Sequence, residues 1–325
     1  MSRFYSMLRE ASRVQPVKPA EQEPTGTPEA VPPVIAAMFD EAGTAADAMR
    51  AAAADRVGGS PTQSTPEPDL NITPEELLGF TLFPQNGDAA GNRSFGTAAK
   101  LTFDRHARVL PHAMNSVVVE CYRRLRTKIL QQHAIRPFRS LLISSSAPQE
   151  GKTVTTLNLA LSFAMLPSFK VLVIDGDLRR GAIANWLGME NDHPGLSDLI
   201  EGSAEMNDVI LRGESTAAHF MLRGKSAVPP AELLHSPKLS SYFRQMAEHY
   251  DLILVDSAPL NFVADSQLLA AQCDAVLLVA RAFRTNRKSL EKAVEDLKSF
   301  SIIGTILNGA DRTEGYGQYY GYNKP

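Results

Sequence analysis

The sequence predicts a doubly wound α/β domain, with a mostly parallel sheet and a phosphate-binding loop, preceded by a largely disordered N-terminal region. Three observations carry that reading. After about residue 115, short and nearly continuous apolar runs alternate with helical segments, the pattern of parallel strands covered on both faces. A Gly-Lys-Thr triplet, residues 151–153, falls between one such run and a helix. Before that, residues 14–71 are dominated by Ala, Pro, Glu and Thr, with nine prolines from Pro16 to Pro68.

Taken in order, residues 1–13 open the chain, and Phe4, Met7 and Leu8 suit one face of a short helix or a frayed terminus. Residues 14–104 read as a disordered linker, because so few apolar side chains cannot offset the entropy of ordering. Within it, Pro74 suits the start of a short helix through Leu78, and Gly87, Gly91 and Gly96 suit loop. The folded domain spans 105–312. Ser116 to Gln132 has apolar residues near helical spacing with basic residues opposite. Ser140–Ser144 is a buried strand, followed by the glycine–lysine turn and a helix over Val154–Phe163. Lys170–Ile174, Asp251–Val255, Ala275–Val279 and Ser301–Ile306 are further strands, the last two separated by a helix over Arg287–Ser299. Residues 313–325 form a tyrosine-rich flexible tail.

Composition narrows the function. The 325 residues are 44% hydrophobic, enough for a core, and the net charge of −3 gives no global reason to expect a nucleic-acid partner. Cys121 and Cys273 stand far apart without a C-x-x-C spacing, which argues against a disulfide framework or a zinc site and fits a reducing compartment. No apolar run approaches the roughly 20 residues that span a bilayer, and the start lacks the apolar stretch of a signal peptide. A soluble, cytoplasmic protein is expected, with any membrane role coming through a partner.

Ser146-Ala147-Pro148-Gln149-Glu150-Gly151-Lys152-Thr153 resembles a Walker A loop with serine at the usual first glycine. Backbone N–H groups there must cradle phosphates, Gly151 must allow close approach and Lys152 must reach the β- and γ-phosphates. Thr153 can place its hydroxyl on Mg²⁺, and the helix beginning near Val154 directs its N-terminus at the anion. Two more strand ends support the site. Asp175, Asp177 and Arg179 follow one strand and Asp256 follows another, where a Walker B aspartate belongs. Aspartates also end strands for purely structural reasons, but a lysine and three carboxylates at three strand ends point together to ATP and Mg²⁺.

These residues resemble the bacterial tyrosine kinase family, the autokinases of capsule and exopolysaccharide export, which lie within the partitioning or MinD-like superfamily of P-loop ATPases. The D-x-D-x-R motif is Asp175, Asp177 and Arg179, and an E-x-x-R-x-x-R helix is Glu120, Arg123 and Arg126. Pro194–Gly202 and Pro229–Leu234 are similar to family signatures, and Tyr316, Tyr319, Tyr320 and Tyr322 form a terminal tyrosine cluster. The resemblance covers about residues 105–325; Met1–Ala11 is a weaker match to the start of some relatives. Gln149 stands where the family often has glycine, which is expected to alter the loop, and the usual Pro-Asn-Pro is reduced to Val228-Pro229-Pro230.

The resemblance implies a stand-alone cytoplasmic kinase that phosphorylates its own tail in trans and thereby regulates polymer synthesis and export. Lys152 would hold the β- and γ-phosphates, and Thr153 and Asp177 would organise Mg²⁺ with help from Asp256. Asp175 is the first choice to accept the tyrosine proton, with Asp177 and Asp256 as alternatives. Residues 146–154 and Arg179 would line the nucleotide, and Asn308 would touch the adenine, unless Asn308-Gly309 is simply a turn. Glu120, Arg123 and Arg126 would dock on a neighbouring subunit of a ring. The implied partners are a separate transmembrane adaptor, which recruits the kinase to the inner face of the plasma membrane, and a phosphotyrosine phosphatase. The chief alternative is a partitioning or MinD-like ATPase switch without kinase activity. Such proteins typically carry a second lysine where this chain has Ala147, and many end in a basic amphipathic helix that this chain lacks.

Overall fold

The computed structural model describes residues 34–38 as backbone, together with residues 96–99, 101, 117–190, 192–213 and 216–310. The expected helices near residues 1–13 and Pro74, the rest of the linker and the tail at 313–325 lie outside them. In chain order the elements are β1 (Val34–Met38), β2 (Thr97–Ala99), α1 (Val117–Ile135), β3 (Ser140–Ser145), α2 (Lys152–Ala164) and β4 (Val171–Asp175). Then come α3 (Ile183–Trp186), α4 (Leu196–Glu201), α5 (Met206–Val209), β5 (Ile210–Gly213), β6 (Ala218–Met221), α6 (Pro230–Leu234) and α7 (Pro237–Ala247). The last are β7 (Leu252–Asp256), α8 (Asp265–Ala270), β8 (Ala275–Arg281), α9 (Arg287–Asp296) and β9 (Ile302–Ala310).

The strands form one sheet in the order β1-β9-β8-β3-β7-β4-β6-β5-β2. From β9 to β6 every neighbouring pair is parallel, while β1 and β5 run antiparallel to β9 and β6. Because side chains alternate along a strand, the apolar runs supply both faces. Leu141, Ile143, Val171, Val173, Leu252 and Leu254 join one core cluster with Tyr122, Leu125 and Ile129 of α1 and Leu157 and Phe163 of α2. Leu142, Leu172, Ile174, Ile253 and Val255 face the opposite way and pack with Leu199, Leu239, Phe243, Leu269 and Leu290. Each such leucine, once buried, contributes roughly 2 kcal/mol, so a polar residue at Leu142 or Leu172 opens a core from the sheet itself.

Local sequence explains where the longer helices start. Ser236 accepts a hydrogen bond from the Lys238 N–H ahead of α7, whose first residue is proline, and Asn286 does the same for Lys288 at α9. Two findings depart from the sequence reading. Val34–Met38 and Thr97–Ala99, within the stretch read as linker, add edge strands at opposite ends of the sheet. A strand of three to five residues needs only a free sheet edge for its main-chain hydrogen bonds, so a poor core-former can supply one. The short β5–β6 pair was also unforeseen, because four-residue strands leave little periodicity to read.

Candidate functional site

The parallel register sets three strand ends side by side. Asp175 of β4 is the register partner of Asp256 of β7, and Ile143 of β3 also pairs with Asp256. Just beyond β3 the chain turns through residues 146–151 into α2, which begins at Lys152, two residues earlier than the expected Val154. Gly151 takes φ 96°, and a Cβ there would lie 1.9 Å from Asn308 Nδ2. Only glycine meets both demands. Gly176, between Asp175 and Asp177, is equally confined: its Cβ would meet the Asp256 carbonyl at 2.7 Å. Gln149 also adopts a left-handed backbone, φ 63°. It therefore accepts the conformation that glycine would take without strain, at roughly 1 kcal/mol, and the loop keeps its turn.

Glu150 staples this loop from within. Its buried carboxylate accepts hydrogen bonds from Ser146 Oγ at 3.0 Å, the Ala147 N–H at 3.0 Å and Thr285 Oγ1 at 2.5 Å. The carbonyls of Gln149 and Glu150 accept from Arg281 Nη1 at 3.1 Å and Asn308 Nδ2 at 3.0 Å. The loop is thus braced by β8 and β9. No side chain caps α2 at Gly151, so its first-turn N–H groups stay available to an anion.

Lys152 Nζ sits 3.5 Å from Asp177 Oδ2, 3.7 Å from Asp256 Oδ1 and 3.5 Å from Thr153 Oγ1, and Thr153 donates to Asp256 Oδ2 at 2.7 Å. Asp175 Oδ2 accepts the Ile183 N–H at 3.0 Å, while its Oδ1 is buried without a hydrogen bond. Burial and the adjacent Asp256 push the Asp175 carboxyl up to about 8, against the Ile183 N–H and Lys152, which favour ionisation. Burial likewise raises Asp256. For Lys152 burial works the other way, but Asp256, Asp177 and Asp175 together outweigh it and hold the ammonium above its ordinary range.

The donors are all oxygens, one hydroxyl and up to three carboxylates, which suits a hard cation. Among the described residues no three His, Cys, Asp or Glu side chains form a ready-made metal cage. One or two carboxylates with room for phosphate and water is the arrangement Mg²⁺ takes on a nucleotide.

The other expected site residues are placed as follows. Val154 is on α2, half-buried, with its carbonyl accepting from Asn158 Nδ2. Pro148 lies on the exposed loop. Arg179 turns to α8 and grips Asp265 with two hydrogen bonds, 2.7 and 3.1 Å. Asn308 and Gly309 are inside β9, so they make no chain-reversing turn; the β1 register skips Gly309, φ 69°, as a bulge. Glu120 and Arg123 pair at 3.5 Å, and Arg126 Nη1 donates to the Ser162 carbonyl of α2. Tyr316, Tyr319, Tyr320 and Tyr322 lie outside the described residues. Sequence reasoning missed Arg281, Thr285 and Asp265. Arg281 ends a parallel strand on the ligand-binding edge, a position that marked it for attention.

Residues 148–301 match an AAA domain family. The chain is 32% identical to the tyrosine-protein kinase YwqD of Bacillus subtilis over 65% of this chain and 88% of that protein. It is 33% identical to the tyrosine-protein kinase ptk of Acinetobacter johnsonii over 61% of this chain but only 27% of that longer one. The solved kinase domain of the Escherichia coli tyrosine kinase ETK superposes with a TM-score of 0.58 at 29% identity, over 69% of this chain and 94% of that domain. Among the described residues no helix is long and apolar enough to cross a membrane.

Proposed function

The chain belongs to the bacterial tyrosine-protein kinases, and on that premise we propose that it transfers the γ-phosphate of Mg·ATP to tyrosines in the tail of a second copy of itself. The observation that carries the reading is Lys152 at the uncapped start of α2, within 3.7 Å of both Asp177 and Asp256.

Lys152 and the first-turn amides of α2 bind and orient the phosphates, and Thr153, Asp177 and Asp256 hold the cation. When bound, Mg·ATP supplies the electrophilic phosphorus and neutralises charge on the phosphates. The bond from the β,γ-bridging oxygen to the γ-phosphorus breaks, a bond from the tyrosyl oxygen forms, and ADP leaves. The phenolic proton goes to a buried carboxylate. Asp175 is our choice, since its Oδ1 has no hydrogen bond and, once ionised, a carboxyl whose pKa is raised to about 8 is a stronger base than an ordinary one, with Asp177 and Asp256 serving the cation. The acceptors are Tyr316, Tyr319, Tyr320 and Tyr322, four of the chain's eight tyrosines.

Family resemblance extends the proposal to the setting. The kinase works in capsule or exopolysaccharide synthesis on the inner face of the plasma membrane, held there by a transmembrane adaptor and reset by a phosphotyrosine phosphatase. In the Acinetobacter protein the matched part is joined to a larger remainder.

Mass spectrometry of the purified full chain after incubation with Mg·ATP tests the reading. Phosphotyrosine in the tail is expected, and its loss in Lys152→Met with the fold retained. ATP turnover without phosphotyrosine points instead to the ATPase switch.

A further inference from the structure

Phe283 has an unusual conformation. It adopts a left-handed backbone, φ 59°, which a bulky aromatic residue rarely does, and the residue is 72% exposed. Strain of this kind persists where the surroundings impose it, and here they do. The turn 281–285 is locked on itself, with the Arg281 N–H on Thr285 Oγ1 at 2.7 Å and the Thr285 N–H on the Arg281 carbonyl at 2.8 Å. It is also locked on the phosphate-binding loop, through Arg281 to the Gln149 carbonyl and Thr285 to Glu150. Phe283 is the apolar tip of a turn whose two ends are tied to residues 149 and 150.

Topology gives the direction of the ligand. The phosphate-binding loop follows β3, whose neighbours are β7 on one side and β8 on the other. Lys152 and the carboxylates gather on the β7 and β4 side, so the reactive end of a triphosphate belongs there. The nucleoside end is left the β8 and β9 side, where the turn 281–285 stands. We propose that Phe283 is the platform on which the purine base of the bound nucleotide stacks, making it a base-recognition residue of the kinase. The inference rests on the nucleotide reading above. A flat π-face is the group that a solvent-exposed phenyl ring held in a fixed turn can cover, and base–aromatic stacking is strong enough to justify the backbone strain.

Two probes separate the base from the phosphates: Mg·ATP and Mg·tripolyphosphate, titrated calorimetrically into the full chain. Phe283→Asn tolerates the left-handed backbone while removing the ring. It is expected to weaken Mg·ATP roughly tenfold, to leave Mg·tripolyphosphate unchanged and to keep the thermal midpoint at or above that of the wild type. Phe283→Tyr restores ATP affinity. If the wild type binds both probes and Phe283→Asn binds Mg·ATP undiminished, or loses both probes in equal proportion, the base platform is wrong and the nucleotide site stands. If the wild type binds neither probe, the nucleotide reading fails and takes the platform with it.

Discussion

Arg179 holds Asp265 in a two-pronged grip, Nε to Oδ2 at 2.7 Å and Nη2 to Oδ1 at 3.1 Å, joining the segment that carries Asp175 and Asp177 to α8. The pair is lopsided: the Arg179 side chain is 47% exposed and that of Asp265 2%. Removing the arginine strands a buried carboxylate, whereas neutralising the aspartate leaves a guanidinium that water can solvate. Arg179→Ala is therefore expected to destabilise the fold by about 2–3 kcal/mol and Asp265→Asn by about 1 kcal/mol. Urea denaturation of both variants checks the order, and equal losses would overturn it.

Gly151→Ala should abolish tail phosphorylation while leaving the sheet intact. The added methyl meets Asn308 Nδ2 and is attached to a backbone at φ 96°. Asn308→Ala on its own loosens one brace and should reduce activity less. In the double variant the clash is gone but the strain is not, so activity should stay near that of Gly151→Ala. Recovery to the Asn308→Ala level in a phosphotyrosine assay would show that the clash, not the left-handed backbone, decides.

How much of this was legible in the sequence depends on distance along the chain. β3, β4 and β7 declared themselves because each is a nearly continuous apolar run ending in a polar group, and α2 because the glycine–lysine turn precedes it; Asp175 and Asp256 are two of those strand endings, and Lys152 opens the helix. Contacts across long stretches did not. Arg281 reaches Gln149 across 132 positions, Thr285 reaches Glu150 across 135 and Asp265 reaches Arg179 across 86. No local pattern encodes such pairs. For Arg179 the motif was visible and its partner Asp265 was not. Phe283 lacked a signal of its own too, since φ is a property of the folded turn and phenylalanine is not a residue that advertises a left-handed backbone.

His219 on β6 gives the fold an acid-sensitive point. Its Nδ1 lies 2.8 Å from the Tyr250 hydroxyl. Burial, helped by Arg212 and Lys170, lowers its pKa to about 4. Between roughly pH 6.5 and pH 4 the unfolded chain binds a proton at this position that the folded chain refuses. Stability is accordingly lost as pH falls through that window and lost no further below it. Partial exposure of the ring limits the effect to about 1–2 kcal/mol. His219→Asn should show a smaller drop in urea midpoint between pH 7.5 and pH 4.5 than the wild type, and an identical drop would remove His219 as the cause.

The arginines of α1 are expected to separate in function, although they belong to one E-x-x-R-x-x-R pattern. Arg126 is engaged within the chain, its guanidinium donating to the Ser162 carbonyl in the last turn of α2, where a cation also complements the helix dipole. The Arg123 guanidinium pairs with Glu120, in a half-exposed i,i+3 pair of the kind worth a few tenths of a kcal/mol. If α1 docks on a neighbouring subunit of a ring, Arg123 can exchange partners at little cost and Arg126 cannot. Arg126→Ala should lower stability by about 1–2 kcal/mol in the isolated chain. Arg123→Ala should leave stability unchanged and reduce assembly, measured by light scattering on a tail Tyr→Phe background with the cytoplasmic segment of a candidate adaptor present. Phosphorylation of the wild-type tail should mimic Arg123→Ala, because four phosphotyrosines would add about −6 to −8 charges per subunit, a repulsion felt wherever subunits come within a Debye length of roughly 8 Å. Unchanged particle mass for both Arg123→Ala and the phosphorylated wild type would remove α1 and the tail from the assembly, and an equal loss of stability in the two arginine variants would show that the pattern serves the fold alone.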